Sequence, residues 1–314
     1  MKLRLVFILA LLAALTAFPW YSSATLMQFG INALLLATLA QGWNMIGGFT
    51  GYASFGNSVF YGLGTYGTAI AMANFHLPFP AGLAIGAALS LTCALVFGLP
   101  ILRLRGPYFA IATLGLSGVM GAIFSNLDIA GKNIGLILPL YSNDVLFFEL
   151  ALWLMVAATL TAFWISRSRF GAALVAIREN EDAAAVMGIN TTVHKVAALA
   201  LAAFFSALAG GIHAYWITFI DPSSAFDSSL NLKMVIMAVF GGPGSVFGPV
   251  IGTFILSAIS EVLASSASTV ATLFFGLVIV VAVLFMPKGL LDLSRNFPKM
   301  GFQYFIQNLK RYRV

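Results

Sequence analysis

Charge is what this sequence has least of. Only 8% of its 314 residues are Asp, Glu, Lys or Arg, against about 25% in soluble domains, and hydrophobic residues make up 61%. Burying one large aliphatic side chain is worth about 1.5–3 kcal/mol, so a surface this apolar would drive association in water. A water-soluble globule is excluded, and lipid is the solvent that fits. The single cysteine, Cys93, rules out a disulfide framework within the chain and a cysteine metal cluster. His76, His194 and His213 fall in different segments, without the spacing or acidic companions of a metal site. A phosphate loop ending in Gly-Lys-Ser/Thr is also missing, because Gly131-Lys132 is followed by Asn133 and lacks the upstream glycine. No nucleophile stands beside a base. The chain is therefore expected to be no enzyme and to hold no cofactor, metal or nucleotide of its own.

What is present is long apolar runs. Between Arg4 and Arg103 there is no Asp, Glu, Lys or Arg, and at about 20 residues per crossing this stretch holds about four spans. Turn residues divide it into runs 5–18, 25–46, 52–74 and 80–102. The first run, with Lys2 and Arg4 before it and small residues near Ser23, also fits a cleavable leader; a retained span is preferred because another apolar run follows at once. Further runs are expected at 107–127, 145–166 and 196–220. A polar loop covers 128–144, and a charged segment covers 167–195. Beyond them, 230–263 reads as a pair of short or broken helices that enters and returns, 268–285 as a last span, and the end as a basic tail.

Parity supports that reading. With both termini on the cytoplasmic side, 14 of the 16 Lys and Arg residues fall inside, as the positive-inside rule requires. Short basic clusters between apolar runs are membrane loops rather than a nucleic-acid footprint, so the formal net charge of +6 is an orientation signal and no nucleic-acid partner is expected. The expected fold is all-α, a polytopic transmembrane bundle with some discontinuous helices. Residues 1–289 would form the membrane domain and 290–314 a basic cytoplasmic tail.

Thirty glycines need a reason in an apolar helical chain. Gly244, Gly248 and Gly252 recur every four residues, and Gly47/Gly51 and Gly82/Gly86 repeat the interval, which lets a second backbone approach closely. Close helix packing is one reading. The other is that Gly241-Gly242-Pro243-Gly244 and Pro249 break a helix beside a solute pathway, since freed backbone groups need cover from protein or a water-filled cavity. Asn44, Ser54, Asn57 and Tyr61, around Gly47–Gly56, are uncharged polar groups that suit a neutral or zwitterionic solute; the alternative is bonding between helices. Candidate pathway residues are therefore Asn44, Ser54, Asn57, Tyr61, Gly241, Gly242 and Gly244. Glu261 is the one plausible carboxylate in a span, and Lys233 could pair with it, although a lysine reaching from a helix end to the interface is the plainer reading.

Residues 171–187 predict one short surface helix with Ala172, Ala173, Ala176 and Ala183–Ala185 as formers, closed by Gly188 as a left-handed cap with Ile189 in contact. At this length propensity alone leaves it marginal, so it should rest on a partner. Asp182-Ala183-Ala184-x-x-x-Gly188 resembles the EAA-x-x-x-G loop of bacterial ATP-binding-cassette (ABC) importer permeases, which docks into a cleft on the ATPase subunit. Arg103-Leu104-Arg105-Gly106-Pro107-Tyr108-Phe109, Ala176-Ile177-Arg178-Glu179-Asn180-Glu181 and Gly241-Gly242-Pro243-Gly244-Ser245 are similar to strings of the branched-chain amino acid permeases of the LivM type. The resemblance runs from about Gln41 to Gly289. The sequence departs from the family's pattern at Ala172, where Arg is common, at Asn57, where His is common, and at Gly131-Lys132, where a Gly-Gly pair is common.

The resemblance implies an inner-membrane permease subunit of about eight to ten helices, without its own ATPase site. Its partners would be a LivH-like permease chain, two LivG/LivF-like ATPase subunits that bind the ATP, and an extracytoplasmic amino-acid-binding protein. It implies Arg178, Glu179, Glu181, Asp182, Ala183, Ala184 and Gly188 as the ATPase-coupling loop, and leucine, isoleucine or valine as solute. A urea or short-chain amide permease looks similar, and a self-sufficient carrier or channel is the more distant alternative.

Overall fold

The computed structural model describes residues 15–264 together with 277, 289 and 290. Among them the chain is almost wholly helical. In order the helices are α1 (Ala24–Trp43), α2 (Asn57–Ala73), α3 (Phe79–Ile101), α4 (Pro107–Asn126), α5 (Asp144–Arg167), α6 (Arg169–Glu179), α7 (Glu181–Val186), α8 (Thr191–Ile217), α9 (Pro222–Ala225), α10 (Ser228–Gly241) and α11 (Gly248–Ala264). A wide π turn, Asn44–Gly48, prolongs α1. Two-residue strands β1 (Leu136–Ile137) and β2 (Phe219–Ile220) pair antiparallel, Leu136 opposite Ile220.

Local chemistry explains most boundaries. Asn143, Ser168, Asn180 and Asn190 place a side-chain oxygen on the N–H groups of Leu146, Gly171, Ala183 and Val193, which fixes the starts of α5, α6, α7 and α8. Gly106, at φ 55°, turns the chain into Pro107 at the start of α4. Among the described residues, five helices are long and apolar enough to cross a bilayer: α1 with its π turn, α3, α4, α5 and α8. They match the runs expected at 25–46, 80–102, 107–127, 145–166 and 196–220. The runs at 5–18 and 268–285 and the basic tail lie outside the described residues.

Three expectations need correction. The run at 52–74 is helical only from Asn57, because residues 51–56 form an irregular loop that starts at Gly51 with φ 75° and is held where the Trp43 indole N–H donates to the Ser54 carbonyl at 2.8 Å. The single helix expected over 171–187 is two, α6 and α7. Asn180 between them is extended (φ −162°, ψ 109°), and its side chain caps α7; asparagine competes with the helix for backbone groups and favours this position. The pair at 230–263 does form two helices, but Pro249 stands in the first turn of α11, where it starts a helix rather than interrupting one.

The helices alternate in direction, giving the bundle two ends. At one, the loop end, Arg105, α6, α7, the Gly47–Gly51 turn and residues 241–245 come together. At the other, the strand end, β1 and β2 tie the loop at 128–143 to the end of α8, and Asn74 donates to the Ile129 carbonyl at 2.8 Å. Gly289 lies against Gly242, so the chain has returned to the loop end by that point.

At the centre is α2, buried along almost its whole length between α3 and α8. Its 17 residues, at about 1.5 Å each, are short for a span, and its glycines set the packing. Gly67 meets the Gly86 backbone of α3, while Gly64 meets the backbone of Ala207 on α8, whose Gly210 meets Tyr61 in return. Close approach is therefore what Gly82 and Gly86 serve, the first of the two readings given above. A Gly64→Val substitution would drive a side chain into the Ala207 backbone, and overpacking of this kind costs about 1–3 kcal/mol. We expect a lowered melting temperature for the detergent-solubilised chain. Gly115→Ala, where nothing lies within 4 Å of the added carbon, should stay within about 0.5 kcal/mol of the parent.

Candidate functional site

The loop end is organised around a buried lysine. Lys195, the fifth residue of α8, is 3% exposed, and its ammonium donates to Glu181 Oε1 at 2.6 Å, to the Leu102 carbonyl at 2.9 Å and to the Tyr52 hydroxyl at 3.0 Å. It also lies 4.5 Å from the centre of the Tyr52 ring. Tyr52 in turn donates to Glu181 Oε2. One lysine thus joins α7, α8, the end of α3 and the loop that leads into α2.

Arginines extend this clamp. Arg105 forks onto Asp182, with N–H to carboxylate distances of 2.8 and 3.1 Å, and its Nε stands 3.7 Å from Glu181. Arg178, on α6, donates to the Gly48 carbonyl at 3.2 Å, and its chain passes over Gly51 and Gly244, where a Cβ would leave it no room. Its other side holds Glu179 at 3.1 Å. Between these groups lies a cleft of about 350 Å3 lined by Thr50, Tyr52, Arg105, Ile177, Arg178 and Glu181.

The electrostatics follow from this geometry. Burial acts to raise the Glu181 carboxyl, but hydrogen bonds from Lys195 and Tyr52 outweigh it and hold the group below the usual carboxylate range. Asp182 is lowered by its hydrogen bonds from Arg105. Burial, and then the Glu181 carboxylate, push the Tyr52 hydroxyl above its ordinary value, so it keeps the proton it donates.

The residues of the expected coupling loop are all here. Glu181 and Asp182 open α7, the Ala183 N–H is capped by Asn180, and Ala184 packs inward at 3% exposure. Gly188, at φ 88°, closes the helix: its N–H reaches the Ala185 carbonyl and that of Ile189 reaches Ala184, each within 3.1 Å. Just before this cap, Val186 and Met187 are 88% and 82% exposed, a bare apolar tip on an otherwise polar loop. The composition of the segment offered no signal for that tip, nor for Tyr52 and Lys195. Their partners lie 129 and 14 residues away along the chain.

The seven expected pathway residues do not form one site. Asn44, Gly241, Gly242 and Gly244 belong to the loop end: Asn44 accepts from the Gly244 N–H at 2.7 Å and donates to the Ser245 carbonyl at 2.9 Å. Gly242 and Gly244 have φ of 127° and 75°, so the freed backbone between α10 and α11 is covered by a side chain of the π turn. Ser54 accepts from the Gly56 N–H within its own loop at 3.3 Å. Asn57 is fully buried with neither side-chain amide atom hydrogen-bonded. Tyr61 borders two cavities toward the strand end, of about 140 and 230 Å3, with its hydroxyl 2.6 Å from His213 Nδ1.

Comparison with known proteins places this geometry. A family model described as branched-chain amino acid transport system / permease component matches residues 25–284. The high-affinity branched-chain amino acid transport system permease protein LivM of Salmonella typhimurium is 27% identical over 92% of this chain and 75% of its own length, and the protein of that name from Escherichia coli is similar to the same extent. The autoinducer 2 import system permease protein LsrC of Photorhabdus laumondii is 25% identical over 52% of the chain and 51% of its own length.

Removing one member of a buried ion pair costs about 3–5 kcal/mol, because the other is left charged without a partner. Glu181→Ala should therefore destabilise the solubilised chain by about that much, and adding Lys195→Met should recover a large part of it. Thermal unfolding of the single and double variants measures this coupling. The depressed Glu181 value sets the pH window. Its contribution is complete above the unfolded carboxyl value of about 4.3 and is lost as pH falls from there through the lower folded value.

Proposed function

The chain belongs to the family of branched-chain amino acid transport system permease components, and from that membership we propose that it is the transmembrane permease subunit of an ABC importer that moves leucine, isoleucine or valine inward by alternating access. It is a multi-pass protein of the inner membrane. In this reading the loop end is cytoplasmic, residues 1–289 are the membrane domain and 290–314 a basic tail on the same side. A LivH-like chain completes the permease, two LivG/LivF-like ATPase subunits hold the ATP, and an extracytoplasmic binding protein delivers the amino acid.

The observation that carries the proposal is the clamp around Lys195. Val186 and Met187 offer an ATPase cleft two exposed apolar side chains, and α7 behind them is joined through Glu181 to α8, α3 and the Tyr52 loop. Arg178, on the adjoining α6, reaches the Gly48 carbonyl and packs over Gly244. A push on the tip therefore reaches four helices and both glycine-rich turns without crossing a flexible linker. The glycines then allow backbone angles there that other residues resist.

The test is uptake by the five-chain importer in proteoliposomes. ATP-dependent accumulation of leucine, isoleucine and valine is expected, with urea excluded. Gly188→Arg should leave the chain inserted and the complex without transport, since a left-handed cap costs a residue with a side chain about 1–2 kcal/mol and the added arginine sits beside the docking tip. Urea uptake in place of leucine, or leucine flux through this chain alone without ATPase subunits, would overturn the proposal.

A further inference from the structure

Toward the strand end, three cavities run together beneath α1 and α10. The first, about 140 Å3, is lined among others by Asn32, Leu36, Leu39, Tyr61, Asp227 and Lys233. A second, about 130 Å3, shares Asn32, Leu36 and Lys233 with it and adds Ser257, Ser260 and Glu261 of α11. A third, about 230 Å3, shares Tyr61, His213 and Ser224 with the first and opens toward β2. Asn32 is the ninth residue of α1 and Lys233 the sixth of α10. At about 1.5 Å per residue, both lie roughly 8–12 Å inside their helix ends.

Lipid does not suit this groove. Asn32, Asp227, Lys233 and Glu261 are all exposed on the isolated chain, and among the described residues no ion pair engages Asp227, Lys233 or Glu261. A charged side chain turned to hydrocarbon at mid-span costs about 2.5–3.5 kcal/mol. The outward faces of α4 and α5 show the contrast, with Ile111, Leu114, Val119, Leu160 and Phe163 exposed instead. α10 and α11 also expose Leu232, Ile251, Ile255 and Val262, so it is the groove lined by the polar and charged groups, and not the whole face, that is built for water or a polar solute.

We propose that this groove is an amino-acid site on the transport path, which takes a free zwitterion with an aliphatic side chain. The assignment rests on the amino-acid import proposed above and adds where the solute is held. Lys233 supplies a cation for the α-carboxylate. Asp227, whose carboxylate also caps α10 by accepting from the Ser229 N–H and hydroxyl, supplies an anion for the α-ammonium through its remaining lone pairs, with Asn32 and the Tyr61 hydroxyl as neutral hydrogen-bonding groups. Leu35, Leu36, Leu39 and Leu230 form the apolar wall beside them. Opposite charges that share one cavity without pairing to each other are what a zwitterion would satisfy. A neutral amide such as urea would leave both unmatched.

The sole native cysteine, Cys93, is buried, so introduced thiols can be read against a low background. In the assembled importer, Asn32→Cys and Ser260→Cys should react with a membrane-impermeant methanethiosulfonate added from the binding-protein side, while Leu160→Cys on α5 should not. Leucine should slow the Asn32→Cys reaction several-fold, and isopentylamine, which lacks the carboxylate, should not. Adding Lys233→Gln should abolish the protection, and Lys233→Arg should keep it. Two results overturn the site: no labelling of either thiol in the complex, as when lipid or the second permease covers the groove, or labelling at one rate with and without leucine. ATP-driven leucine uptake by the unmodified importer is measured in the same vesicles. Uptake without protection overturns this site alone, whereas urea uptake in place of leucine overturns the import reading and this site with it.

Discussion

A lysine ammonium taken out of water must place three protons, and Lys195 places all three: on a carboxylate, a tyrosine hydroxyl and a backbone carbonyl. Burying a charge is tolerated only when it is paired and fully hydrogen-bonded. The acceptors come from α7, the loop before α2 and the end of α3, so the positions of these segments are set by one desolvated group rather than by many weak contacts. The side groups follow suit. Glu181 stays ionised because Lys195 and Tyr52 hold it so, and Tyr52 keeps its proton because burial and Glu181 disfavour its loss. The surface pair Arg105–Asp182 is exposed on both sides and adds orientation more than energy.

The two glycine-rich turns are the second theme. A chain in lipid cannot leave backbone N–H and C=O groups bare, yet α1 widens into a π turn and α10 stops at Gly241. The structure resolves this by setting the two breaks against each other. Gln41 donates to the Val246 carbonyl at 2.8 Å, Asn44 bonds Gly244 and Ser245, and Arg178 takes the Gly48 carbonyl. Polar side chains from one discontinuity satisfy the other, so neither break could exist in its present form alone.

Much of this architecture was legible in the linear chain, for reasons that can be named. The spans at α1, α3, α4, α5 and α8 are visible because hydrocarbon tolerates no charge. The left-handed turn at Gly188 was readable from a glycine after an alanine-rich run. What stayed hidden depends on partners far away in the sequence. Asn44 stands out as polar in an apolar helix, but nothing local says that it faces residue 244 across the bundle rather than a solute. Lys195 looks like the solvated end of a loop until Glu181, Tyr52 and Leu102 close around it. The break at Asn180 was masked by alanines on both sides, whose propensity for helix is met by two short helices as well as by one.

Held in three places, α8 is the spine of the molecule. Its start is fastened by Lys195, its last third by the contact of Gly210 and Gly211 with Tyr61 and Thr68, and its end by the carbonyl of Thr218, which receives the Leu138 N–H at 2.7 Å beside the β1–β2 pair. Over 27 residues this is a rod of about 40 Å. Sliding it along its axis would break both fastenings at once, whereas tilting about the glycine contact strains each only slightly. The residual freedom of such a rod is that of a balance beam, in which one end goes down as the other comes up.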